Sequence, residues 1–144
     1  MVLSDLVGTW RLLSFETRSS DGVSSEPFGI DPSGILIYDS AGNFSVQLAR
    51  PERPEFASDD MQVGADDEIR AAYTGYAAYF GAYDVNESEG FLTHNVDVSL
   101  YPNWQGLPQR RFFALSGDTL TLTTSPMPFG GREIIGVLVW ERAS

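Results

Sequence analysis

His94 is the only histidine in the chain, and it lies in the segment FLTHNVDVSL at residues 91–100. Period two places Leu92, His94, Val96, Val98 and Leu100 on one face, and Thr93, Asn95, Asp97 and Ser99 on the other. If the apolar face turns into a core, the imidazole lines a buried space. Its chemistry there is general acid or base work, or polar recognition of a bound molecule. The structural alternative is a histidine satisfied by one tyrosine or carboxylate in a packed interior. Asp97 falls on the opposite face, so it is not expected to orient His94 directly without a bulge.

Arg110 and Arg111 are adjacent, so in a strand one points inward and the other outward. The inward member travels with Phe112 or with Phe113, according to parity. A buried guanidinium is costly unless paired. It could hold an enolate, carboxylate or carbonyl oxygen, or it could serve as a structural partner for Glu16 or Glu141. Tyr73, Tyr76, Tyr79 and Tyr83 crowd one region, as core packing or as hydroxyl donors at an opening. Asn103 and Trp104, in YPNWQG, sit in a loop between strands and could cap the opposite end of a cavity. Arg50 and Arg53 flank Pro51 at a strand end, to shape a mouth or pin a loop. Tyr38 and Gln47, on the first hairpin, complete the candidate ligand contacts.

Strands must position these groups. Residues 8–18, 34–39 and 43–50 read as strands, with Leu13 and Phe15 alternating against Ser14 and Glu16 in the first. A tight turn through Ser40, Ala41 and Gly42 joins the second and third. Phe44, Val46 and Leu48 share one face there. Further strands are expected at roughly 81–87, 91–100, 109–116, 119–125 and 134–142. Between the two groups lies PERPEFASDDMQVGADDE at 51–68, a loop without periodicity. It leads into an amphipathic helix placed at about 66–80, whose apolar positions are Ile69, Ala72, Tyr73, Tyr76 and Tyr79 or Phe80. Asp66, Asp67 and Glu68 suit its first turn. About eight antiparallel strands with short connections close most economically into an up-and-down barrel. The fold class is therefore mainly β, in one domain over residues 1–144. A barrel of that size holds packed side chains or one small ligand. Trp10 and Trp140 should meet where it closes.

Composition narrows the function. The chain has 144 residues, with 20 acids against 9 bases and a net charge of -11. All the bases are arginine, and neither lysine nor cysteine occurs. Thiol nucleophiles, disulfides, thiolate metal sites and lysine Schiff bases are excluded. Nucleic acid is an unsuitable partner for so acidic a chain. No apolar run approaches the length of a membrane span, and no secretory signal is visible, so a cytoplasmic location is the expectation. No cofactor or metal is expected, because no phosphate-binding glycine loop or spaced calcium loop is present.

Several segments together carry a resemblance: LVGTWRLLSFE at 6–16, GILIYDSAGNFSVQLARPERPEF at 34–56, AAYTGYAAYFGAYDV at 71–85, THNVDVSLYPNWQG at 93–106 and LVWERA at 138–143. Over nearly its full length the chain resembles the small bacterial and fungal lipocalin-like domain family. The resemblance implies a closed antiparallel barrel with an internal cavity. Related barrels resemble small-molecule binders, or enzymes that cyclise or isomerise specialised metabolites. The family pattern of two adjacent histidines and a glutamate meets His94, Asn95 and Asp97 here, which leaves a single-histidine site.

Three functions follow from these readings. The first is binding of a small, largely apolar molecule inside the barrel, with a homodimer left open. The second is a cofactor-independent cyclase or isomerase. There His94 would transfer a proton while Arg110 or Arg111, with Tyr79, stabilises an oxyanion, or the cavity would act by shape alone. The third is a structural or partner-binding domain with a filled core.

Overall fold

The computed structural model describes residues 3–143. A single helical turn, α1 (Leu3–Leu6), leads into β1 (Gly8–Ser19). There follow β2 (Ser24–Ser25), β3 (Ser33–Tyr38), β4 (Asn43–Ala49), α2 (Asp66–Thr74), β5 (Tyr76–Asn86) and β6 (Phe91–Ser99). A 3-10 turn at Pro102–Trp104 precedes β7 (Pro108–Ser116), β8 (Thr119–Thr124), β9 (Met127–Phe129) and β10 (Arg132–Arg142). Neighbours pair antiparallel in the order β1-β3-β4-β5-β6-β7-β8-β10, and β10 returns to β1. The sheet is thus a closed eight-stranded barrel, as expected. β2 and β9 are short additions paired to β1 and β10. No helix among the described residues is long and apolar enough to cross a membrane.

Closure is built from the two terminal strands. Leu12 faces Trp140, and Trp10 faces Arg142. Trp10 is fully buried and donates its indole N–H to the Leu6 carbonyl at 3.0 Å. The Arg142 guanidinium lies 4.3 Å over the Trp10 ring and donates to the Val7 carbonyl at 3.0 Å. The Ala143 amide completes the seam on the Thr9 carbonyl at 2.7 Å. The hairpin between β3 and β4 is held by the Asp39 carboxylate. It accepts from the amides of Ala41 and Asn43 at 3.0 and 2.8 Å. Gly42 takes the positive φ of 91° that this turn requires.

Two bulges reverse the parity expected from alternation. In β1 the register slips between Leu12 and Ser14. Leu13 is therefore turned to solvent, while Leu12 and Phe15 are buried. In β6, Phe80 pairs with Val98 and Gly81 with Val96, so Asp97 is the extra residue. Val98 and Leu100, expected inside, are exposed, and Ser99 is buried instead. The inward face retains Leu92, His94 and Val96.

The helix is shorter than the expected 66–80. It ends at Thr74, and Tyr76, Tyr79 and Phe80 belong to β5. The run from Tyr76 carries both a helical and a two-residue period. Pairing with β4 from Ala49 opposite Tyr76 decides it, since a longer helix would open a gap in the barrel. The Glu68 carboxylate accepts from the amides of Ala65 and Ala57, both at 2.8 Å. Those bonds hold its carboxyl below the ordinary range and tie the acidic loop to the helix. Arg53 donates to the Ala72 carbonyl near the other end of the helix.

Gly81 is the tightest point of this framework. A Cβ there would stand 2.0 Å from the Asn95 carbonyl oxygen and 2.8 Å from the Asp97 amide. Gly81→Ala is expected to cost about 3 kcal/mol, the upper end of ordinary overpacking. The thermal unfolding midpoint measures this, and an unchanged midpoint would show that the bulge relaxes freely.

Candidate functional site

The interior is not filled. A cavity of about 80 Å³, counted as space open to the centre of a water-sized sphere, runs inside the barrel. One water needs only about 10–15 Å³ by that measure. Phe15, Phe28, Leu36, Val46, Leu48 and Leu122 supply much of its apolar wall. Polar groups enter the lining from a few positions only: Tyr79 on β5, His94 on β6, Trp104 in the 3-10 turn, Arg111 on β7, Thr124 on β8 and Trp140 on β10.

Four side chains form a connected row. The Tyr38 hydroxyl lies 2.7 Å from His94 Nε2, and the Tyr79 hydroxyl lies 3.4 Å from His94 Nδ1. Arg111 donates from Nη2 to the Tyr79 hydroxyl at 3.2 Å, and from Nη1 to the Arg110 carbonyl at 3.0 Å. Phe44 stacks on the imidazole, with ring centroids 4.1 Å apart and planes 12° apart. Trp104 meets Tyr79 edge-on at 5.2 Å.

Electrostatics follow from this burial. Desolvation, and then the Arg111 charge, hold the His94 imidazole well below its ordinary pKa, so it is neutral near pH 7. Desolvation pushes the Tyr38 phenol well above its ordinary range, and Tyr79 and Tyr83 push the same way against Arg111. Tyr38 thus keeps its proton, and His94 Nε2 is the acceptor this structure offers it. That pairing puts the imidazole hydrogen on Nδ1, directed at the Tyr79 oxygen. Tyr79 then accepts from both His94 and Arg111.

Arg111 is the inward arginine, in parity with Phe113. It is 6% exposed. Neither Glu16 nor Glu141 answers it: Glu16 pairs with Arg18 on the surface, and Glu141 is exposed. Arg110 lies outside, with its guanidinium 3.9 Å over the Phe91 ring. Tyr76 and Gln47 hydrogen-bond to each other on the outer surface. Arg50 is exposed and donates to the Pro27 carbonyl, which pins a loop. Asn103 is exposed and donates to the Tyr101 hydroxyl. Tyr83 is buried against Tyr38, ring centroids 4.6 Å apart, and donates to the Asp39 carbonyl. The structure therefore brings Tyr79, His94, Arg111 and Trp104 to the cavity, keeps Tyr38 and Tyr83 buried but off its lining, and leaves Arg110, Tyr76, Gln47, Arg50 and Asn103 outside it.

Sequence reasoning passed over Phe44, Phe28, Thr124 and Trp140 as lining residues. Phe44 carried a signal, because it shares an inward face with Val46 and Leu48. Trp140 was legible only as core. Phe28 lies in a polar loop whose composition gave no sign that it turns inward. Among the described residues no three His, Asp or Glu side chains are grouped to hold a metal.

A closed antiparallel barrel around an apolar cavity with a few inward polar groups is a lipocalin-like architecture. The lipocalin-like domain family model matches residues 7–143, and the chain belongs to that family. A curated relative is the 4'-hydroxy-3'-methoxypropiophenone carrier protein of Aspergillus oryzae. It is 33% identical over 105 residues, which span 68% of this chain and 95% of the relative. A solved lipocalin-like protein from Bacteroides uniformis is 18% identical, with a TM-score of 0.49 over 96% of this chain and 98% of that one.

The depressed imidazole has a consequence for stability. Unfolded chains protonate His94 below about pH 6.5, while the folded chain resists. His94 therefore supports the fold fully above that pH and less as the pH falls toward its lower folded value. Unfolding free energy should drop by up to about 1.4 kcal/mol per pH unit from this group. Denaturant titrations of the wild type and His94→Gln between neutral and acid pH should diverge in slope. Parallel slopes would mean that the buried imidazole protonates without penalty.

Proposed function

We propose that this protein binds a small aromatic molecule in the barrel and carries it rather than transforming it. The observation behind this reading is the cavity itself: a hollow, mainly apolar interior entered by few polar groups. The relative whose name specifies a propiophenone carrier supports an aromatic ketone as the ligand class. Aromatic walls suit such a ring. Phe15, Phe28, Phe129 and Trp104 line the cavity, and Phe15 meets Phe28 and Phe129 edge-on at 5.3 and 6.0 Å.

Carrying is favoured over proton-transfer cyclisation by the state of His94. Both its nitrogens have tyrosine partners, and burial beside Arg111 makes it a weak base. A proton-transfer catalyst needs a group poised near the working pH. The row Tyr38–His94–Tyr79–Arg111 instead fixes one donor geometry at the cavity wall.

Titration with 4'-hydroxy-3'-methoxypropiophenone should change tryptophan fluorescence saturably, through Trp104 and Trp140. Ala77 also lines the cavity, and Ala77→Phe should weaken binding about tenfold or more, ~1.4 kcal/mol. Phe80→Ala, on the outer face, should leave it unchanged. Equal affinity in wild type and Ala77→Phe would place the binding outside the barrel. Recovery of the ketone chemically altered would replace carrying with catalysis.

A further inference from the structure

The polar groups of the cavity are unbalanced in kind. Arg111 commits one N–H to Tyr79 and one to the Arg110 carbonyl, so three of its five donors have no acceptor among the described residues. The Trp140 indole N–H is buried without a partner. Tyr79 accepts from Arg111 and from His94, and its own hydroxyl proton is left uncommitted. Thr124 accepts the Gly136 amide at 2.8 Å, so its hydroxyl proton is also free. His94 offers no spare acceptor, because both nitrogens are engaged. No buried carboxylate occurs among the described residues. The lining is therefore a set of donors around one positive charge.

We propose that the cavity binds a phenol as its phenolate, with the ionised oxygen against Arg111 and the Tyr79 hydroxyl. This rests on the cavity-binding reading and goes beyond it by naming the ligand's charge state and the residues that set it. A phenolate oxygen accepts several hydrogen bonds, and charge-assisted ones to a guanidinium are the strong kind. An amine or other cation would add a second positive charge and further donors to a site that has no buried carboxylate. The groups packed around Arg111 are Tyr79 from β5, His94 beyond it on β6, and Thr124 opposite it on β8. None is a carboxylate, so none competes for the guanidinium. The chain carries a net -11 with none of its acids buried among the described residues, so its exterior admits the neutral phenol more readily than the anion. The ligand enters protonated, the O–H bond breaks inside, and the proton passes to solvent while the electron pair stays on oxygen.

Ultraviolet difference spectra with 4'-hydroxypropiophenone test this, because a phenolate absorbs at longer wavelength than its phenol. The intact chain is titrated at a pH where the free phenol is mostly neutral, with the non-ionisable 4'-methoxy ketone as control. The bound ligand should be enriched at least about tenfold in phenolate. Arg111→Met should still bind the methoxy ketone but lose the phenolate band. Tyr79→Phe keeps the cation, so it should weaken the band without abolishing it. A bound phenol with a neutral spectrum in the wild type overturns the inference and leaves the cavity reading intact. So does a phenolate band that persists in Arg111→Met. Failure of both ketones to bind the wild type strikes the cavity reading itself. If Arg111→Met does not fold, the wild-type spectrum and Tyr79→Phe decide alone.

Discussion

A guanidinium buried without a carboxylate is the interaction around which this interior is arranged. Desolvating such a charge costs several kcal/mol even after relaxation, about the size of a small domain's net stability. The barrel offsets this with neutral dipoles. The Tyr79 oxygen and the Arg110 carbonyl accept from Arg111, and His94 donates to the same tyrosine. Each member fixes the next. Tyr38 keeps its proton because it is buried, so His94 must accept on Nε2 and donate from Nδ1. The chemistry of the cavity is thus decided by one charge and passed along a row of rings to the far side of the barrel.

The exterior obeys a different logic. Residues 52–68 carry seven acids and one arginine, a net -6 of the chain's -11. These acids serve local structure: Glu68 tethers the loop to α2, and Asp66 and Asp67 lie at the helix start. Among the described residues no acid follows the arginine inward. A chain that reads as strongly acidic in sum therefore presents an interior of the opposite sign.

The alternation of Phe44, Val46 and Leu48, and of Leu92, His94 and Val96, was enough to read the barrel and its one inward histidine. The two bulges were not legible. At Leu13 and Asp97 a single unpaired residue reverses the face of everything beyond it, and no local composition marks the slip. The double period of Tyr76 to Phe80 hid the end of the helix, because only pairing with β4 separates the two readings. Which arginine faces inward turned on one residue of register, which a single sequence leaves open. The aromatic wall from Phe28 came from a loop whose fold depends on contacts far away in the chain.

The seam between β1 and β10 sets the order in which the molecule can assemble. Its strands lie at opposite ends of the chain, so joining them closes the longest loop in the fold. Hairpins such as β3–β4 and β7–β8 need only local turns and can form early. The cavity takes walls from both seam strands, Phe15 from one and Trp140 from the other, so no enclosed site exists until the seam has closed. A ligand therefore finds its enclosed site only once the seam has closed. It would slow the reopening of the barrel and leave the rate of its formation untouched.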